Sequence, residues 1–504
     1  MTQANEPGSR GTTFWGTLAK GHPSPRMITL GSLALLAFGA WLRVAVYQRN
    51  YSLNHDEACL ALNIIQRPLA QLAQPLDYLQ ASPFGFLALE YFVVKIFGAS
   101  EKALRMLPLI CSLVSLPLFW LLARRQIKAW PQWLAVGFFA VSQNLVSMSS
   151  WVKQYSAELL VSLVLGLFCE PLLQEAPTRK QLVGSALAGA IALWFSFTAC
   201  FVLGGLGLAC VLAFGWANAL RRYAFVFGAW AISFLPIILK VEDSPVRNSM
   251  QLIWTPNFIP WSNPRGLAPW LWDGFTNLCD NATSFRLAPL AVLFLGFGLI
   301  VAWKRRNYSS LALAFSLLLC LLASGLRQYP FTSRFLFFLA PAVLLLIFAP
   351  FNFTVSPVNL LTKRALAIVA SLALVYASLS AVKNLILRDT RGDAREALAE
   401  IVRQWQPGDK LCLSGAATPL FFYYQHSLGF PSHAHVTQRD PKSHELDRVA
   451  PPIPVSPGRH WFIYFPSEAG FAEKIVAHSD LRGKRLGKFD YDTYSAVLWE
   501  LGGP

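Results

Sequence analysis

About eleven apolar runs, each near the length a helix needs to cross a bilayer, constrain this chain more than any other feature. They occupy residues 27–47, 104–123, 129–149, 156–172, 182–199, 200–219, 224–239, 286–303, 309–326, 333–350 and 365–383. With 54% hydrophobic and 14% charged residues and a mean hydropathy of +0.42, the chain is more apolar than soluble domains are. These runs predict an all-α multi-pass membrane bundle. No solenoid or inverted repeat is visible among them.

The net charge of +16 does not point to nucleic acid, because the basic residues fall in short clusters between the runs instead of forming a continuous solvated face. Arg124-Arg125 with Lys128, Arg179-Lys180, Arg221-Arg222, Lys304-Arg305-Arg306 and Lys363-Arg364 form the pattern of cytoplasmic loops. Lys20 and Arg26 set the same orientation for the first run, which reads as an uncleaved anchor. The run from Phe84 to Gly98 is short and carries Glu90 and Lys95. If it crossed, every later basic cluster would switch sides, so it is assigned to the outer interface as an amphipathic helix. The expected organisation is a cytoplasmic tail over 1–26, a transmembrane domain over 27–387 with outer loops at 48–103 and 240–285, and a soluble outer domain over 388–504. The expected location is the inner (plasma) membrane, with a site facing the periplasm.

Residues 388–504 hold more than half of the acids and most of the histidines. Helices at 393–405 and 467–478, with strands at 410–414, 461–465 and 495–501, predict a small α/β appendage. The loop at 240–285 is rich in tryptophan (Trp254, Trp261, Trp270 and Trp272), which suits an interfacial belt or the wall of a ligand site. The eight cysteines show no metal-binding spacing. Of these, Cys59, Cys279 and Cys412 are placed where a disulfide is permitted. His433 and His435 read as surface residues rather than as a metal site.

Immediately after the first run stand Asn54, His55, Asp56 and Glu57, two adjacent carboxylates at the outer face. An acid at a helix start often serves only as a cap, but here it shares its face with candidate partners. Attack on an activated sugar by a hydroxyl needs a carboxylate to take the proton, and Asp56 is assigned that role. Glu57 and His55 are candidates to orient the base or bind the acceptor, and the two acids are the place for a divalent cation (Mg or Mn) if one is used. A departing phosphate needs cationic stabilisation. Arg327 and Arg334 lie between the ninth and tenth runs in a stretch without acids, and arginine matches phosphate bidentately. Lys153 is a third candidate, with Tyr155 as an auxiliary. Arg105, at the start of the second run, reads as an interfacial anchor.

These residues, in this order and sidedness, resemble the integral-membrane GT-C glycosyltransferases, in particular bacterial relatives of dolichyl-phosphate-mannose protein mannosyltransferases and of the aminoarabinose transferase acting on lipid A. The matching positions are Asp56-Glu57-Ala58, Ser82-Pro83, Glu101 with Arg105, Lys153 with Tyr155, Trp194 to Thr198, Ser333-Arg334-Phe335 and Ala340-Pro341, followed by Arg391 to Arg395, Gln406 to Asp409 and Pro419 to Tyr424. The resemblance spans nearly the whole chain. It implies sugar transfer, usually with inversion, from a polyprenyl-phosphate donor to a lipid, glycan or protein acceptor at the outer face. Asp56 then looks like the base and Arg334 like a donor-phosphate contact. One departure is Ala81-Ser82-Pro83, where many relatives carry a basic residue and two prolines; the missing cation must come from elsewhere, with Lys153 the candidate. The competing readings are a transporter or flippase of a lipid-linked saccharide and a non-catalytic assembly protein. Intramembrane charges would favour transport, and most of the runs lack them.

Overall fold

A computed structural model describes residues 25–504 except 243–246, 248–250, 285–287, 353–359, 388–393, 416, 432–434, 438–454, 466–469, 478, 480, 491–494 and 504. Most of the 1–26 tail, His433 and part of the 240–285 loop therefore lie outside the described residues. All of the apolar runs carry helix, but fewer are continuous than their lengths suggest. Among the described residues, 6 helices are long and apolar enough to cross a membrane, or up to 7 if the bent pair Pro264–Thr283 and Ala288–Lys304 counts as one span; Tyr155–Phe168 and Ala199–Phe214 are shorter.

The interruptions have local causes. In the 129–149 run, helix Trp130–Val141 stops at Ser142, whose hydroxyl accepts from Leu145 N and caps the next helix, Gln143–Met148. The 333–350 run begins as a 3-10 turn, Ser333–Leu339, before helix Ala340–Phe348. Pro341 supplies no N–H to carry the α ladder backwards and is suited to a helix start.

Arg43 ties three helices together near the C-terminal end of Pro25–Gln48. Fully buried, it donates to Ser112 Oγ at 2.8 Å, Gly39 O at 2.9 Å, Ala140 O at 2.7 Å and Phe139 O at 3.3 Å. The last two are carbonyls at the end of Trp130–Val141, so the guanidinium caps that broken helix. The approach depends on Gly39, where a Cβ would meet Ala140 O at 2.8 Å. A second close crossing packs Gly205 against Ala312 O and Ser316, the small-residue contact that lets membrane helices touch. Elsewhere Leu30, Phe225, Ile232, Leu293 and Leu379 are exposed on outward faces, as a hydrocarbon solvent requires.

Two elements lie beside the bundle. Helix Phe84–Phe97 buries Phe86, Leu87 and Glu90 and exposes Leu89, Phe92, Ile96 and Phe97, the two-faced pattern of an interfacial helix. Both Glu90 oxygens lack a partner among the described residues, and burial pushes its carboxyl well above the usual range. The C-terminal region forms a five-stranded sheet of order β2-β1-β3-β5-β4. Strand β1 (Lys410–Leu413) is parallel to β2 (His435–Thr437) and β3 (Gly458–Tyr464), while β5 (Ser495–Leu501) is antiparallel to β3 and to β4 (Gly483–Asp490). Helices Ala394–Gln404, Thr418–Tyr424 and Phe471–Ala477 accompany it. Its core, with Leu398, Ile401, Leu411, Phe421 and Trp461, is continuous with Leu53, Ala58 and Ala61 of the 48–103 segment. The sheet therefore packs directly on the segment that carries the acid pair.

Candidate functional site

The acids sit in the first turn of helix His55–Gln66, and local chemistry gives each a different task. Asn54 is the N-cap; its side chain accepts from Glu57 N at 3.0 Å, and Glu57 Oε2 accepts from Asn54 N at 3.0 Å. This is a reciprocal capping box. The cap role weighed for the acid pair thus falls to Glu57, one position past Asp56.

Glu57 is also the acceptor in a buried ion pair. Arg105 donates to both its oxygens, at 3.1 and 3.0 Å, with side-chain exposures of 5% and 3%. The same guanidinium donates to Tyr51 O and Ser52 O, and Val152 N donates to Glu57 Oε1 at 3.0 Å. Arg105 is therefore not an interfacial anchor: it is buried and joins the second run to the loop carrying the acids. Glu57 is saturated by these donors and has no coordination position left for a cation or a substrate.

Asp56 faces the other way. Its Oδ2 accepts from Arg334 at 2.6 Å, with side chains about one-third exposed. Burial pushes the Asp56 carboxyl up, but the charges of Lys153, Arg334 and His55, with the Arg334 hydrogen bond, hold it below the usual carboxylate value. Lys153 is buried. Desolvation lowers its ammonium against the opposing pull of Asp56, and its Nζ donates to Gln80 Oε1. Ser82 Oγ donates to Gln154 Oε1 at 3.3 Å. Lys153 thus delivers its charge to the 80–83 segment, where the resemblance lacked a basic residue.

Arg334 lies between aromatic faces, 5.0 Å from the Trp254 ring and 5.7 Å from Phe335. Its Nε is buried without an acceptor among the described residues, so the guanidinium has a donor to spare. Tyr155 packs edge-on against Phe335, and Tyr329 donates to Phe335 O at 2.8 Å. His55 lies at 3.5 Å from Cys59 Sγ and edge-on to Phe465 of the C-terminal region.

Arg327 does not join this group. It is exposed, in a left-handed conformation (φ 55°) at the end of helix Tyr308–Gly325, where its backbone N donates to Ser324 O at 3.0 Å and its carbonyl accepts from Gln251 at 3.2 Å. Trp254, for which the sequence leaves both an interfacial belt and the wall of a ligand site open, covers Arg334; no sequence signal separates it from its neighbours in that loop. Cys59, Cys279 and Cys412, the cysteines for which a disulfide was left open, are all buried. Among the described residues no group of three or more His, Cys, Asp or Glu side chains could hold a metal. With Glu57 committed to Arg105, the Asp56 and Glu57 donor set does not fit a divalent cation.

No family model and no curated protein sequence matches the chain. The solved structures do: ArnT from Cupriavidus metallidurans bound to undecaprenyl phosphate superposes with a TM-score of 0.52 at 12% identity, over 92% of this chain and 97% of that one. ArnT from the same organism in the apo state gives 0.54 at 13% identity, over 93% and 98%. At this identity the likeness concerns architecture, and it extends over essentially the full length of both chains. The chain therefore shares the fold of these ArnT structures.

Proposed function

We propose that this protein is a membrane glycosyltransferase that moves a sugar from a polyprenyl-phosphate donor to a lipid, glycan or protein acceptor. The observation that carries the reading is the contact between a carboxylate and a cation with a spare donor, Asp56 and Arg334 at 2.6 Å, beside the buried charge of Lys153. In ArnT, a solved structure of similar fold, undecaprenyl phosphate is the bound lipid.

In this scheme a donor phosphate competes with Asp56 for Arg334 and frees the carboxylate. Asp56 then takes the proton of an acceptor hydroxyl, whose oxygen attacks the anomeric carbon. The bond from that carbon to the phosphate oxygen breaks, and its electron pair leaves on the polyprenyl phosphate, where Arg334 and Lys153 stabilise the charge. A single displacement inverts the anomeric configuration. Glu57 and Arg105 hold the base in place. The site faces the outside of the inner membrane in this reading, with the 27–387 domain making about eleven crossings and 388–504 forming the outer domain. Helix Glu101–Gln126 supports the orientation: it begins beside Glu57 and ends at Arg124-Arg125, about 30 Å away at ~1.5 Å per residue.

Comparing the glycolipids and glycans of a deletion strain with its parent by mass spectrometry tests the function: a missing glycoform with the intact donor accumulated on the outer leaflet supports it, whereas a missing glycoform with the donor held on the inner leaflet supports a flippase, and an unchanged profile overturns it. Arg334→Ala is expected to raise the donor KM about tenfold or more, the scale of a lost charge-assisted contact, with acceptor KM little changed; donor and acceptor titrations of the purified chain separate the two.

The pH profile of kcat/KM for the donor carries its own signature. Transfer needs Asp56 ionised and Lys153 protonated. Because the Asp56 carboxyl is held below its ordinary value of 3.8, activity should persist as pH falls to that value and be lost below it. Because Lys153 is lowered from 10.5, the alkaline limb should begin earlier than for an ordinary lysine. Lys153→Arg should move that limb upward; an unmoved limb would exclude Lys153 as its source.

A further inference from the structure

The segment that presents the acids, residues 50–54, is gripped from two sides. On the membrane side Arg105 donates to Tyr51 O and Ser52 O. On the other side the C-terminal region supplies the grip. Leu53 N, in a fully buried residue, donates to Tyr424 Oη at 2.7 Å, and Tyr424 Oη donates onward to Glu101 Oε1 at 3.1 Å. Arg395 donates to Asn50 O at 3.2 Å and pairs with Glu101 at 2.8 Å, while Tyr423 donates to Ala99 O at 2.7 Å. Phe465, just beyond β3, packs edge-on against His55.

We infer that the C-terminal region is a working part of the site: Tyr424 and Arg395 are positioning residues that fix the backbone of 50–53 and through it the aim of Asp56. Three physical points carry this. A buried N–H must have an acceptor, and Tyr424 is the one Leu53 has. Glu101 sits at the first turn of helix Glu101–Gln126, the helix that also supplies Arg105, so both jaws close on one rigid element. Asp56 lies three residues beyond Leu53, so a small rotation of that peptide displaces the base from hydrogen-bonding reach, and catalysis is sensitive to shifts of about 1 Å. The inference rests on the transferase reading for its catalytic consequence, but the grip itself does not.

The test uses the full-length chain with Tyr424→Phe and, independently, Arg395→Ala. Hydrogen–deuterium exchange in peptides covering 50–57 is expected to speed up about tenfold in both variants, with exchange in helix Glu101–Gln126 unchanged. With a total membrane-lipid extract as donor source, kcat is expected to fall about tenfold while the donor KM stays within about twofold, a split that general destabilisation would not give. Wild-type exchange in 50–57 in both variants would overturn the grip, and faster exchange with unchanged kcat would overturn its role in aiming Asp56. A wild-type chain that transfers no sugar would overturn the transferase reading and with it that role, while the exchange data would still decide the grip.

Discussion

Asp56→Asn is expected to lower sugar transfer by about 10²- to 10⁴-fold, the worth of a positioned base, while expression, membrane insertion and thermal stability stay close to wild type. The stability half follows from geometry. The Asp56–Arg334 pair is about one-third exposed, and pairs of that kind are worth about 0–1 kcal/mol. Asparagine also keeps an oxygen that can accept from Arg334, so donor binding should survive. Near-normal turnover in this variant would remove Asp56 from the mechanism.

Arg105→Ala should cost stability as well as transfer, about 3–5 kcal/mol of stability, because it leaves Glu57 buried and charged without its partner. Thermal unfolding of purified protein measures this. Replacing the pair together, as Glu57→Leu with Arg105→Met, is not expected to restore stability as it can for isolated buried pairs. Asn54 N and Val152 N would lose Glu57 as acceptor, and Tyr51 O and Ser52 O would lose Arg105 as donor. A double variant as stable as wild type would show that the pair holds nothing beyond itself.

These two variants also mark what was legible in the sequence. Asp56, Lys153 and Arg334 stand out because hydropathy and basic clusters predict one side for all three, and the structure brings them together. The partnership of Glu57 with Arg105 was hidden, since it joins residues far apart in the chain, and an arginine at a helix end looks like an anchor until its surroundings are known. The cap motif was readable from Asn54 and Glu57, yet either acid satisfied it by type; only the exact helix start separates them. Arg327 and Arg334 are equivalent by composition, and the turn following Gly325 decides which one points inward.

In the fold, the apolar runs gave helix positions well but not continuity. Ser142 and Pro341 interrupt helices by local hydrogen bonding that a hydropathy window averages away. In the C-terminal region, β1, β3 and β5 are apolar and were readable. Strand β4 (Gly483–Asp490) was not: it is a mostly exposed edge, with Lys484, Arg485 and Lys488 in place of an apolar alternation, a charged edge of the sort that discourages pairing with other chains. Strand β2 has 3 residues, too few for any period.

Arg43 bears on the rival reading of the chain as a carrier. An ionised side chain inside a membrane helix is commonly part of a moving pathway. Here its acceptors come from Ser112, Gly39, Phe139 and Ala140, so sliding any one of three helices strands a guanidinium in hydrocarbon. Such a residue acts as a lock on the root of the segment that carries Asp56, a few residues ahead of Asn50. Alternating access would need that root to rock, whereas a transferase needs it to stay still between one turnover and the next.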